Sequence, residues 1–309
     1  MTTKSPDMTW HDVSTTGIGF EDLTERWTFK IHSTLRYTGR FHYRLWEREV
    51  VGPDFFEKTG QFAPIYALEI DLNDEPISMR ERMTIESHIR LGRTVDSAGE
   101  TARIVSEAQQ HMRGVSPEGK EVPVCRLRML SVFTRPEGPP AERRVRSLHA
   151  CLGLGTTPPR VIPLPTVSDL GVPPVDFHPD TRRKSFTCED ASPHVWGYEQ
   201  TDPNGHVHAM DYVKVMETFG WDHLAPAGIS AADHFYNGCR IVFRSPCFRG
   251  GRYLRRARFE HREADVGGGV LMGQLLGAGE DGSPLNPSRP AVAIQLSVLR
   301  SGRSGGGAE

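Results

Sequence analysis

The sequence predicts an α+β protein of two tandem domains, each a curved antiparallel sheet wrapped around a central helix. Three observations carry this. The chain has 309 residues, more than one small domain needs and suited to two of ordinary size. The stretch from Cys151 to Pro179 is rich in Pro and Gly, follows neither helical nor strand period, and reads as a connector. The segments on either side of it share an order of strand-like and helix-like runs. The expected boundaries are 20–145 for the first domain, 146–182 for the connector and 183–301 for the second, with Ser301 to Glu309 (SGRSGGGAE) a flexible tail.

In the C-terminal half, Val195 to Glu199 reads as a strand end and Asp202-Pro203-Asn204-Gly205 as a turn. A helix is expected over His208 to Trp221, where Met210, Val213, Met216 and Phe219 recur every third residue. Four strands follow, over Tyr236–Arg244, Tyr253–Arg262, Gly269–Leu276 and Ala291–Leu299, separated by Gly and Pro clusters. In the N-terminal half, Leu35–Trp46, Met83–Leu91, Glu100–Gln109 and Val122–Phe133 are strand-like. One ungapped offset relates His42 to His194, Glu47 to Glu199, Ile89 to Ile241 and Gly99 to Gly251, and both halves close on Leu-Ser-Val. Duplication explains this pattern better than chance. Under that offset Asp202, Asn204 and His206 face Val50, Gly52 and Asp54, so the N-terminal copy lacks the polar set.

Composition excludes several classes. With 37 basic against 39 acidic residues, no field invites nucleic acid. No apolar run approaches the roughly 20 residues that span a bilayer, and the N-terminus lacks the apolar stretch of a signal peptide. Five cysteines with no CxxC spacing argue for reduced thiols rather than a disulfide frame or zinc site. His208, His223 and His234 have no metal-ligand spacing, so neither metal nor cofactor is expected, and a cytoplasmic location is.

The sharpest local signal is Asp202-Pro203-Asn204-Gly205-His206-Val207, followed by Tyr212 and Glu217. Turn chemistry alone accounts for Asp202 to Gly205. It leaves unexplained an acid, an amide and an imidazole at alternating positions just before a helix. There, unpaired N–H groups and the helix dipole favour a developing oxyanion. Asp202 is the expected base or nucleophile, Asn204 orients water or bonds the carbonyl, and His206 polarises the carbonyl or protonates the leaving group. Glu217 lies about ten helical residues further on, roughly 15 Å along the axis, and reads as structural or as a substrate contact rather than as part of the reaction. Phe55 and Phe56 suit an apolar wall. The basic run Arg249 to Arg258, with Arg252 and Arg255, reads either as a charge-protected strand edge or as a contact for phosphate or an acidic surface.

These residues resemble the acyl-thioesterase hotdog superfamily, whose members carry D-x-N-x-H-V, then a Tyr six residues after the His and a Glu five after that. The matches here are Asp202, Asn204, His206, Val207, Tyr212 and Glu217. The two-domain layout is similar to acyl-ACP thioesterases, in which two hotdogs share one C-terminal site. Two departures stand out: His208-Ala209 replaces the paired Asn after His-Val, and the strand after the helix, where a Glu-Cys pair is usual, reads Arg240-Ile241-Val242-Phe243-Arg244-Ser245-Pro246-Cys247. The resemblance implies hydrolysis of an acyl thioester on a carrier protein or CoA, in fatty acid or polyketide metabolism. A homodimer is a further expectation. The alternatives are a 3-hydroxyacyl-thioester dehydratase or hydratase, and a non-catalytic acyl- or carrier-binding double hotdog.

Overall fold

The computed structural model describes residues 8–45, 50, 55, 59–135, 137–139, 142–147, 158–172, 185–202, 205–261 and 268–301. Two compact units divide it. The first comprises residues 1–27, 36–68 and 75–164; the second comprises 28–35, 69–74 and 165–309.

The strands of the first half are β1 (Thr9–Thr16), β2 (Ile65–Leu72), β3 (Met83–Val95), β4 (Thr101–Val115) and β5 (Glu121–Val132), with helix α1 over Thr34–Leu45. Their order in the sheet is β1-β3-β4-β5-β2. β3 alternates buried and half-buried residues along most of its length, as expected when one face is packed and the other meets solvent. Met83, Ile85, Ile89 and Leu91 form its inward row. The two hairpins of this meander turn at Gly99 (φ +81°) and Gly119 (φ +80°), where a left-handed backbone requires glycine.

The second half contains β6 (Ser185–Glu189), β7 (His194–Val195), helix α2 (Ala209–Leu224), β8 (His234–Phe243), β9 (Arg252–His261), β10 (Gly269–Ala278) and β11 (Val292–Arg300). The order is β8-β11-β10-β9-β6, with β7 also on β9. Read from the other edge this is β6-β9-β10-β11-β8, the connectivity of the first half. β10 is buried along nearly its whole length: Leu271 and Gly273 meet α2 on one face, and Met272, on the other, lies near Gly171. Val213, Met216, Phe219 and Leu224 form the buried stripe of α2. Gly273 on β10 leaves room for Met216, and Gly220 on α2 leaves room for Tyr236 and Leu271; a Cβ at either position would collide.

The expected strand over Leu35–Trp46 is helix α1. Leu35, Tyr37, Phe41, Tyr43 and Leu45 alternate and favour β-structure. The same run also satisfies a helical period, since Thr34, Leu35, Tyr37 and Thr38 are all buried. The ungapped offset between the halves is also corrected: it sets helical His42 against His194 on β7, and Ile89 on β3 against Ile241 on β8. Connectivity pairs β3 with β9 and β2 with β8, so the offset is one strand out of step. By connectivity the segment matching the Asp202–His206 turn is the one before α1, not Val50 to Asp54. Of those three only Val50 is described, and it is buried; Gly52 and Asp54 lie outside the described residues.

The described part of the connector is bonded in place. Arg93 N–H donates to Arg160 O, and Ile162 N–H donates to Arg93 O, each at 2.9 Å. Leu170 is buried, and its carbonyl accepts from Gln295 Nε2 at 3.0 Å.

Candidate active site

The Asp202–His206 segment is a closed turn. Thr201 bridges Val207, and Asp202 N–H donates to His206 O at 2.8 Å. Gly205 takes φ +76° and returns its N–H to Asp202 O at 2.9 Å. The Asp202 carboxylate also serves the turn, since His206 N–H donates to its Oδ1 at 2.9 Å. Oδ2 stands 4.0 Å from His206 Nδ1, too far for a direct hydrogen bond and a spacing that one water bridges. Both side chains are about one third exposed. Acid and imidazole therefore sit together at an accessible position, immediately before α2.

The turn is stitched to the segment after β8. Val207 N–H donates to Cys247 O at 3.0 Å, Arg249 N–H to Gly205 O at 2.9 Å, and His206 bridges Phe248. Tyr212 completes the clamp from the second turn of α2: its hydroxyl accepts the Cys247 N–H at 2.8 Å. Its ring packs edge-on against Trp196 and Phe243, and Trp196 stacks on Tyr253 at 4.0 Å. Burial pushes the Tyr212 hydroxyl far above its ordinary pKa, so it is a neutral bonding group. Tyr212 thus anchors the Cys247 segment to α2. Burial also raises the pKa of the Cys247 thiol, despite its neighbours Tyr212 and Trp196, which disfavours a thiolate nucleophile there.

An exposed aromatic ring adjoins His206. Phe248 lies 5.0 Å from its ring and is half exposed. Tyr198 is exposed, with Arg249 5.7 Å above its ring. At the start of α2 the N-cap is His208, which makes no side-chain cap bond; the Asp211 N–H donates to His208 O at 3.0 Å. Asp211 in that turn is buried, and its Oδ2 has no hydrogen-bond partner among the described residues. Burial raises its pKa, with the charges of His208, Lys214 and His32 pulling the other way.

Glu217 lies further along α2, and its Oε2 meets His32 Nδ1 at 2.5 Å, both side chains mostly buried. It is consumed by that pair. Of the basic run, Arg255 is engaged internally: two nitrogens reach the Asp190 carboxylate at 2.9 Å, another contact reaches His194 at 2.8 Å, and the guanidinium lies over Phe219. Burial alone would raise the Asp190 pKa, but the Arg255 bonds hold it below the ordinary value. At 13 % exposure the Arg255 side chain also reaches Val215 O of α2 at 3.4 Å. Arg252 is exposed and donates to Glu280 O at 2.8 Å. Phe55 is buried in the first unit, edge-on to Phe133. Asn204 and Phe56 lie outside the described residues.

Sequence reasoning missed Trp196, Asp211, Cys247 and Phe248. Asp211 left only a faint signal, because an acid in the first helical turn is ordinary. Trp196 lies shortly before the turn but carries no local signal, and Cys247 and Phe248 come from the segment after β8.

Strand, helix and four antiparallel strands, with the sheet packed on the helix, define the hotdog fold. Solved structures of similar fold cover nearly the whole chain. One from Lactobacillus plantarum, described as an oleoyl thioesterase, is 12% identical with a TM-score of 0.64, over 94% of this chain and 97% of that one. A 12:0-ACP thioesterase from Umbellularia californica is 13% identical, TM-score 0.56, over 94% and 98%. An acyl-ACP thioesterase from Bacteroides thetaiotaomicron is 10% identical, TM-score 0.56, over 93% and 97%. At such identities the likeness establishes the fold. No protein-family model matches the sequence, and no curated protein matches it.

Proposed function

We propose that the chain hydrolyses an acyl thioester carried on an acyl carrier protein or CoA. The observation that carries this reading is the accessible Asp202–His206 pair, 4.0 Å apart and clamped at the N-terminus of the helix. Solved structures of the same fold that are described as thioesterases support it. In this reading a water between the two side chains attacks the thioester carbonyl carbon while Asp202 takes its proton. The oxyanion meets the first-turn N–H groups of α2, with Asn204 orienting water or carbonyl. Collapse breaks the C–S bond, and His206 donates the proton that makes the thiol. Acid and thiol leave, and solvent exchange restores both side chains.

The architecture proposed is a tandem double hotdog with one working site, in the C-terminal half, in a cytoplasmic protein. The N-terminal half, with Phe55 and Phe56, shapes the acyl pocket. Phe248 and Tyr198 suit the apolar part of the substrate beside His206. Arg249 and Arg252 suit CoA phosphate or an acidic carrier surface better than the internally paired Arg255. The test is release of free thiol from a panel of acyl-CoA and acyl-carrier-protein thioesters. Release above background by wild type, lost in Asp202→Asn, supports the reading; folded wild-type protein inert toward the whole panel overturns it.

A further inference from the structure

On the solvent-facing side of the first unit's sheet, β1 and β3 bring three metal-ligand side chains together. His11 on β1 is the register partner of His88 on β3, and Glu86 lies two residues from His88 on the same face. Glu86 Oε1 stands 3.1 Å from His88 Nε2 and 3.4 Å from His11 Nε2. The three donor atoms all lie within 4.8 Å of one another. Zn–N bonds of about 2.0–2.1 Å imply tetrahedral edges of roughly 3.3 Å, the spacing of the two carboxylate–imidazole pairs. Glu86's second oxygen faces Arg113 Nη2 at 3.8 Å, which leaves Oε1 for the metal. The two imidazoles stack at 4.4 Å with planes 27° apart, so metal binding requires the exposed rings to swing out of the stack until both lone pairs meet one point.

We propose that His11, Glu86 and His88 form a site for a borderline divalent cation, Zn2+ foremost, with water completing the tetrahedron. Two imidazoles and one carboxylate select Zn2+ or Cu2+ over Mg2+ and Ca2+, which take oxygen ligands. The site does not depend on the thioesterase reading. Its consequence is mechanical. β1 pairs with β3 alone among the described strands, so it is an edge held from one side. A metal shared by His11 and the two β3 residues clips that edge to the sheet.

The competing account is a surface cluster in which both imidazoles merely donate to Glu86. Isothermal titration of the full chain with ZnCl2 at pH 7.5 separates the two. The proposal expects one equivalent bound per chain, weakened at least tenfold by His11→Ala or His88→Ala and unchanged by His223→Ala as a control. Hydrogen exchange of the amides of residues 9–16 should slow with Zn2+ in wild type and not in the double variant. These side chains are substantially exposed, so the variants should keep the wild-type circular dichroism; Glu86→Gln gives a third route to the same loss. Absence of saturable binding below about 100 µM Zn2+ would overturn the proposal. Binding of undiminished strength in the His11→Ala/His88→Ala protein would do so as well.

Discussion

Before α1, Gly19 donates its N–H to Asp22 Oδ2 at 3.0 Å across a 3-10 turn; before α2, Gly197 donates to Gln200 Oε1 at 2.8 Å across an equivalent turn. In both, the residue after the glycine is an exposed aromatic, Phe20 or Tyr198, and the next is a glutamate, Glu21 or Glu199. Each helix then buries a tyrosine in its first turns, Tyr37 or Tyr212. The polar groups differ in where they go. In the first half the carboxylate is Asp22, fully buried, taking the Gly19 N–H, the Tyr37 hydroxyl and a 3.0 Å contact from Arg36. Burial and the Asp22 bond push the Tyr37 hydroxyl up to about 12. In the second half the amide Gln200 takes over that turn, while Asp202 stands beside His206 on an accessible turn. One scaffold therefore spends its acid on holding itself together, and the other presents it to solvent. This asymmetry is the structural reason for proposing a single working site.

The largest expected effect breaks the comparison at its centre. Asp202→Asn should lower thiol release by at least a hundredfold, about 2.7 kcal/mol of transition-state stabilisation, with an unchanged circular dichroism spectrum. Asp22→Asn should do the reverse. It disturbs a buried, multiply bonded carboxylate, costing about 2–3 kcal/mol in urea unfolding, and leaves the rate of the folded protein near wild type. If Asp22→Asn slows turnover of folded protein as much as Asp202→Asn does, the division between a structural and a working acid is wrong.

Tyr212→Phe comes next. It leaves the Cys247 N–H without its acceptor, which should cost about 1–2 kcal/mol of stability. Because the same hydroxyl holds the 247–249 segment on which His206 rests, kcat should fall about tenfold with KM little changed. A fall in stability with kcat intact would show that the clamp does not orient the pair.

The two turns also show what a sequence conveys. The Asp202–His206 turn was legible because Asp, Pro, Asn and Gly define it locally and the helical stripe of α2 begins at once. α1 was not legible, because its alternating aromatics fit both periods and only tertiary burial chooses between them. The shared Gly–aromatic–Glu turn is hidden in the sequence for a different reason. Meander strands with glycine hairpins resemble one another, so an alignment slipped by one strand still matches Ile89 to Ile241 and Gly99 to Gly251 while hiding the true pairing. Cys247 beside Tyr212, and His11 beside His88, are products of register between distant segments, which no local spacing records.

Asp211 supplies the smallest and most discriminating test, since Arg36, the residue before the tyrosine in α1, is exposed and ion-paired to Glu21. Asp211 is buried with an oxygen that meets no hydrogen-bond partner among the described residues, and its folded pKa is raised by burial. An acid whose folded pKa exceeds its unfolded value contributes stability below the unfolded pKa, near 3.9, and loses it as pH rises through the folded value. At pH 7 the native state therefore carries the cost of a buried carboxylate, screened in part by Lys214 and His208. Asp211→Asn should remove that cost and raise stability by about 1 kcal/mol at pH 7, a few degrees or less in Tm. The gain should shrink to nothing as pH falls toward 4, where both proteins carry an uncharged side chain there. A gain independent of pH would mean that the amide has found a new hydrogen bond, and a loss at pH 7 would mean that the carboxylate is bonded in solution. Activity sharpens the result: a negative charge in the first turn of α2 opposes an oxyanion at the same N–H groups, so the substitution should leave kcat at pH 7 unchanged or raise it. A fall in kcat with improved stability would instead place Asp211 among the groups that move protons in the reaction.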